Sequence, residues 1–207
     1  MLRSARLSQS AYEIELERPS GFRFEPGQSI RIFLGDDGRD YSLASAASGA
    51  TVQLLVRRIE GGAVSPALAG AAPGTAVRFS GPHGLFTLRQ SPRPAVLAAT
   101  GVGIAPFVSM ARSGAAGFTL MHGVRTAGEL FHRREMESAA ARYVPCLSQE
   151  SSPGCFAGRL TGWARAQLEP GTAWDFYLCG NRRMVRDMTL LVDERFPGSR
   201  VFTEIFF

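Results

Sequence analysis

The sequence contains no lysine; all 23 of its basic residues are arginines. Its positive charge is therefore carried wholly by guanidinium groups, which form bidentate contacts with phosphate and carboxylate. Cysteine is scarce. Cys146, Cys155 and Cys179 cannot make a disulfide framework and show no CxxC spacing. The three histidines, His83, His122 and His132, lie too far apart in the chain to suggest a metal centre. No apolar run approaches the roughly 20 residues that cross a bilayer. The first residues, MLRSARLSQSAYEIELE, have no apolar segment of the kind a secretory signal needs. These absences predict a cytoplasmic protein in a reducing setting, with no membrane association. Basic runs, zinc-finger spacing and basic helices are missing too, which argues against nucleic acid. The net charge of +5 fits other anionic partners, such as nucleotides or acidic proteins.

What is present falls into two halves, with a boundary near SPRP at 91–94. Residues 1–91 read as short strands: YEIELE, SIRIFL, TVQLLV and TAVRFS. Turn signals RPSG, EPGQ, GDDG and APGT separate them. This predicts an antiparallel barrel or sandwich, with one short helix at SPALAG. Residues 92–207 alternate strand and helix: PAVLAA, IAPFVSMAR, GFTLMHG, GELFHRREMES, RYVPCLS, WDFYLCG, NRRMVRDMTLLVDERF and RVFTEI. That order predicts a parallel α/β sheet covered on both faces.

Five short stretches carry chemistry. In RDYSLAS an arginine, an aromatic ring and a hydroxyl, Arg39, Tyr41 and Ser42, sit together. EGGAVSPAL offers an anion cradle at Gly61, Gly62 and Ser65; Ser65 as an N-cap with Pro66 at N1 explains it equally well. ATGVGIAP follows an apolar strand and opens a helix, so its glycines let a backbone approach a pyrophosphate. Pro106 stands where the usual GxGxxG has its third glycine. FYLCGNRRM ends a strand at the carboxyl edge of a sheet, where open α/β folds place ligands; a cysteine there is reactive or merely packed. VFTEIFF puts a carboxylate beside aromatics, for a proton and a flat ring or for packing alone.

Taken in order, PGQ at 26–28, RDYS at 39–42, GGAVS at 61–65, GPHGLFTL at 81–88, ATGVGIAP at 99–106, HGVR at 122–125, CGN at 179–181 and Glu204-x-Phe206 resemble the ferredoxin–NADP reductase superfamily. The resemblance covers nearly the whole chain. It implies a two-domain fold: an antiparallel Greek-key flavin-binding barrel (1–91), then a parallel-sheet NAD(P)-binding α/β domain (92–207). It implies FAD as cofactor and NADPH or NADH as substrate. Arg39 would hold the flavin diphosphate, Tyr41 would lie on the isoalloxazine and Ser42 would reach flavin N5. Gly62, Ala63, Val64 and Ser65 would present N–H groups and a hydroxyl to the diphosphate, with Arg58 a second phosphate contact and Asp40 part of the same motif. In the second half Thr100, Gly101 and Gly103 would admit the nucleotide's pyrophosphate. Cys179 and Gly180 would sit beside the nicotinamide. Ser42, Cys179 and Glu204 would form the catalytic cluster, and Phe206 or Phe207 would cover the flavin face.

The chain also departs from the family pattern. Arg182 follows CGN where many relatives have proline. Ser148-Gln149 stands where NADP-selective relatives often have Ser-Arg. Arg125 and Arg159 remain as readers of a 2′-phosphate, which favours NADPH. No CxxxxCxxC iron–sulfur segment is present, so the resemblance implies a stand-alone, monomeric reductase that passes electrons to a separate ferredoxin or flavodoxin. Two other functions fit the same motifs: reduction of free flavin or another small acceptor, and a flavin-binding electron-transfer subunit of a larger complex.

Overall fold

In AYEIELE every second residue is apolar or small. As a strand it must send Ile14 and Leu16 to one face and its glutamates to the other. The computed structural model, which describes residues 1–206, shows this strand as β2 (Ala11–Glu17), with Ile14 and Leu16 buried. β2 pairs antiparallel with β1 (Arg3–Arg6) and β5 (Thr51–Arg57). A second antiparallel sheet has the order β4-β3-β6, from β3 (Ser29–Leu34), β4 (Asp37–Ser42) and β6 (Arg78–His83). The two sheets share one core, in which Ile14, Ile30, Ile32, Leu43, Leu54 and Val56 are fully or almost fully buried. They are stitched where β4 runs out: Leu43 bridges Leu54, and the Ala44 N–H donates to the Gln53 carbonyl at 2.7 Å. Helix α1 (Val64–Gly70) adds Val64 and Leu68 to this core.

The chain divides into two compact units: Met1–Leu88 with Ala105–Gly114, and Arg89–Ile104 with the chain from Ala115 on. The first unit thus includes helix α2 (Ala105–Arg112). Ser109 Oγ donates to the Ser45 carbonyl at 2.7 Å. Arg112 Nη1 donates to the Ala44 carbonyl at 3.0 Å and to Gln53 Oε1 at 2.7 Å.

The second unit is built on a six-stranded parallel sheet of order β10-β9-β8-β7-β11-β12. Its strands are β7 (Ala95–Thr100), β8 (Thr119–Val124), β9 (Arg142–Leu147), β10 (Phe156–Ala157), β11 (Asp175–Asn181) and β12 (Arg200–Phe206). β7 and β11 are interior strands, apolar over residues 95–99 and 176–179, as strands covered on both faces must be. Helix α5 (Arg182–Arg195) buries Met184, Val185, Met188, Leu191 and Val192 against the sheet, the i, i+1, i+4, i+7, i+8 stripe of an amphipathic helix. Helices α3 (Arg133–Ala139) and α4 (Leu160–Gln167) complete the unit. Among the described residues no helix is long and apolar enough to cross a membrane.

Several local expectations need correction. Ser65 does not cap α1. It lies inside the helix, whose N-cap is Ala63, and its hydroxyl instead accepts the Ile59 N–H at 3.0 Å. The strand expected at TAVRFS begins three residues later, at Arg78. GELFHRREMES is not one helix: residues 127–129 form a 3₁₀ turn, and His132 at φ 54° breaks the chain direction before α3 starts. β1 carries no strong sequence signal of its own, and the apolar spacing of α4 is interrupted by Gly162; neither element is among the sequence expectations.

Candidate functional site

In the parallel sheet, β7 connects to β8 on one side while β11 lies on its other side. This is a topological switch point, where chain connections leave a crevice at the carboxyl ends of the strands. The residues at those ends are Thr100 on β7 with Gly101 just after it, and Cys179, Gly180 and Asn181 on β11. Thr100 Oγ1 accepts the Asn181 backbone N–H at 2.9 Å and its side-chain amide at 3.0 Å. Asn181 Oδ1 in turn accepts the Met184 N–H at 2.8 Å and so caps α5. A Cβ on Gly180 would lie 2.1 Å from Thr100 Oγ1, and one on Gly103 would lie 2.5 Å from the Cys179 carbonyl oxygen. Gly103 is therefore small to admit the end of β11, a different role from the pyrophosphate contact its motif suggests. Gly101, at φ 54°, has nothing within 4 Å of the place a Cβ would take. Its open face is the one a ligand backbone approach requires.

Beneath this turn lies His122, fully buried near the end of β8. Its Nε2 is 3.1 Å from the Gly101 carbonyl oxygen and its Nδ1 is 3.1 Å from the Tyr143 hydroxyl. A carbonyl can only accept, so Nε2 carries the proton and Nδ1 accepts from Tyr143. Burial pushes the imidazole down to about 4, so the ring is neutral near pH 7.

Cys179 pairs in register with Glu204 on β12. The thiol is fully buried; burial first, and the nearby carboxylate second, push it well above its ordinary range. It is a neutral thiol at pH 7, suited to packing or weak hydrogen bonding rather than nucleophilic attack. Glu204 is half-buried, and Phe206 ends β12 opposite Asn181. Phe207 lies outside the described residues.

In the first unit Arg39, Asp40, Tyr41 and Ser42 are the last four residues of β4. Alternation puts Arg39 and Tyr41 on one face and Asp40 and Ser42 on the other. Arg39 is exposed and Tyr41 half-buried; Nη1 of Arg39 donates to the Gly38 carbonyl at 2.8 Å. Burial raises the Tyr41 phenol to about 12, partly offset by Arg39, so it stays neutral. Ser42 is buried, whereas Asp40 is exposed and paired with Arg31 at 3.0 Å. The donor set on the Arg39–Tyr41 face, a guanidinium beside an aromatic ring, suits an anionic group attached to a flat ring system. Near α1 the Gly62 N–H is committed to the Ile59 carbonyl at 3.1 Å. Arg58 is exposed just past β5, with its backbone N–H on the Ser10 carbonyl at 2.8 Å.

The two arginines expected to read a phosphate differ. Arg125 is held by Glu129, with Nη2 to Oε1 at 2.6 Å and its backbone N–H to Oε2 at 3.1 Å. Arg159 is the exposed N-cap residue of α4, and its guanidinium has no hydrogen-bond partner among the described residues. His122, Tyr143 and Glu129 are not among the site residues the sequence suggests; Asn181 stands in the CGN motif, without the cap and tie it makes here. HGVR at a strand end was the one available signal for His122; nothing local marks Tyr143.

Comparisons with known proteins agree with this geometry. Residues 4–88 match the oxidoreductase FAD-binding domain family and residues 97–189 the oxidoreductase NAD-binding domain family. Ferredoxin--NADP reductase B of Sorangium cellulosum is 40% identical, in an alignment that covers 86% of this chain and 84% of that protein. The toluate 1,2-dioxygenase electron transfer component of Pseudomonas putida is 31% identical, covering 86% of this chain and only 58% of that longer protein. The crystal structure of Amycolatopsis cytochrome P450 reductase GcoB superposes with a TM-score of 0.86 at 29% identity, covering 99% of this chain and 68% of that one. An FAD-binding antiparallel unit and an NAD(P)-binding parallel sheet with an open glycine turn are what an oxidoreductase of this kind requires, and the chain belongs to the ferredoxin–NADP reductase superfamily.

Proposed function

We propose that the protein takes hydride from NADPH in preference to NADH onto bound FAD, and passes single electrons to a separate ferredoxin or flavodoxin. The single observation that carries the reading is the edge of β7 and β11, where the open Gly101 turn lies on the same sheet edge as the Cys179–Glu204 pair. FAD, when bound, supplies the chemistry of accepting a hydride and releasing electrons one at a time. The chain's own residues bind and orient. Arg39 holds a phosphate charge, Tyr41 offers a neutral ring face, Ser42 a hydroxyl and Glu204 a carboxylate that handles a proton. The neutral Cys179 thiol packs where the nicotinamide enters, next to Gly180. Phe206 supplies a ring at the end of β12, with Phe207 next to it in sequence.

We assign the FAD duty to residues 1–91 and the nucleotide duty to residues 92–207, although α2 belongs to the first compact unit. The positive charge supports an acidic carrier rather than nucleic acid, and a cytoplasmic monomer is the corresponding setting. Free arginine chemistry near the nucleotide site, at Arg159 above all, supports NADPH. The test is anaerobic stopped-flow of the yellow holoprotein with each nucleotide. Flavin bleaching faster with NADPH than with NADH is expected. Flavin that stays oxidised with both overturns the reading.

A further inference from the structure

His122 does not face the ligand side of the Gly101 turn; it lies under it. Its Nε2–H is 3.1 Å from the Gly101 oxygen, and its other nitrogen is fixed by the Tyr143 hydroxyl at 3.1 Å. The ring is fully buried, so His122 itself does not touch a nucleotide; Tyr143 is half-buried, with its hydroxyl on Nδ1. The carbonyl they hold belongs to a glycine at φ 54°, the residue type with the widest choice of backbone angles. A peptide unit is planar and trans, so its C=O and the following N–H point in opposite directions. With the Gly101 oxygen drawn inward to His122, the Val102 N–H must point away from it. Gly101–Ile104 is a 3₁₀ turn, whose first N–H groups have no acceptor within the turn. Such N–H groups are anion donors.

We propose that His122, held by Tyr143, is a positioning residue for nucleotide binding: it sets the direction of the Gly101–Val102 peptide and thereby aims the Val102 N–H at the pyrophosphate of the incoming nicotinamide nucleotide. The proposal rests on the reading of the second unit as the nucleotide site. It goes beyond that reading by giving a buried side chain control of the glycine turn. Pyrophosphate is common to NADH and NADPH. Loss of this control therefore weakens both nucleotides by one factor, unlike loss of a 2′-phosphate contact.

The experiment is equilibrium titration of the FAD-loaded protein with NADP⁺ and, separately, NAD⁺, with kcat measured at saturating NADPH. The variants are Tyr143→Phe, His122→Leu and His122→Gln. His122→Leu is expected to raise both Kd values by the same factor, about tenfold, and Tyr143→Phe by about threefold, the sizes expected for single hydrogen bonds. His122→Gln places an amide N–H near the former Nε2 and is expected to restore most of the affinity. In all three kcat stays within about twofold. Unchanged Kd values with only a lowered Tm, a loss confined to one nucleotide, or His122→Gln as weak as His122→Leu would each overturn the proposal. Tyr143→Phe removes one hydroxyl and keeps the test open should His122→Leu fail to fold. A wild-type protein that binds neither nucleotide refutes the reading of the site itself.

Discussion

The hydroxyl oxygen of Thr100 accepts both the backbone N–H and the side-chain amide of Asn181, at 2.9 and 3.0 Å. Two residues 81 positions apart thereby tie the carboxyl ends of β7 and β11 together at the switch point, where the chain connections diverge. Gly103 completes the tie, since its missing side chain admits the Cys179 carbonyl. Gly103→Ala is expected to cost about 1–3 kcal/mol, because backbone rather than a flexible side chain must move. Thr100→Val leaves two donors beside an exposed Asn181, where water partly replaces the acceptor, and should cost about 1 kcal/mol. Denaturant unfolding of the two variants should rank them in that order.

Nucleotide choice is open to a directed change. Glu129 holds Arg125 by three contacts, the shortest 2.6 Å. The pair is on the surface, where such bridges are worth roughly 0–1 kcal/mol, so a phosphate competes with it readily. Glu129→Gln should raise the NADPH-to-NADH ratio of kcat/KM by about two- to fivefold. Arg125→Ala and Arg159→Ala should lower it. Equal losses for both nucleotides in the arginine variants would remove these residues from selectivity.

Acid should destabilise the second unit through His122. The imidazole titrates near 6.5 in an unfolded chain and near 4 in the fold, where burial and His132 lower it while the Gly101 bond and Glu129 partly oppose them. The folded value is depressed, so this contribution is fully present above pH 6.5 and is lost as the pH falls toward 4. The full loss is about 3 kcal/mol. A urea-unfolding series from pH 7.5 to 4.5 should show falling stability, and His122→Gln should flatten its lower part. An identical slope in the variant would assign the acid sensitivity elsewhere.

The three thiols should react unequally. Cys146 and Cys179 are fully buried, and burial pushes the first to about 12 and the second well above its ordinary range. Cys155 is half-buried. Iodoacetamide at pH 8 should label Cys155 alone in the native protein and all three after denaturation, as read by mass spectrometry. Early labelling of Cys179 would contradict its role as a packed, neutral thiol.

Electron delivery should depend on salt. The net charge is +5, and Arg182, Arg183 and Arg186 are exposed on the first turns of α5, with Arg183 3.7 Å from Asp187. The carrier-dependent rate should fall severalfold between low salt and about 0.5 M, since steering is screened beyond a few ångströms there. A flat response, with flavin reduction by NADPH equally unaffected, would exclude steering by charge.

Much of the fold was legible because strand and helix periods are local. The alternation of β2 and β3, the unbroken apolar run of β7 and the stripe of α5 each follow from spacing within one segment. α4 was missed although Leu160, Trp163, Ala164 and Leu168 are buried at helical spacing. Its Gly162 and the glycine-rich chain before it obscured that signal. The N-cap expectation for Ser65 fails because its hydroxyl accepts the N–H of Ile59, a contact that depends on how the chain returns ahead of α1.

The sequence by itself determined the order of two cofactor-binding units, the glycine turn after β7 and the arginine–tyrosine–serine run of β4, because these depend on residue types at short separations. Only the tertiary structure decided that Gly103 faces β11, that Cys179 stands opposite Glu204 and that His122 lies under Gly101. Those relationships depend on the register of strands distant in the chain. A shift of one residue would turn Cys179, Glu204 or His122 to the other face of the sheet.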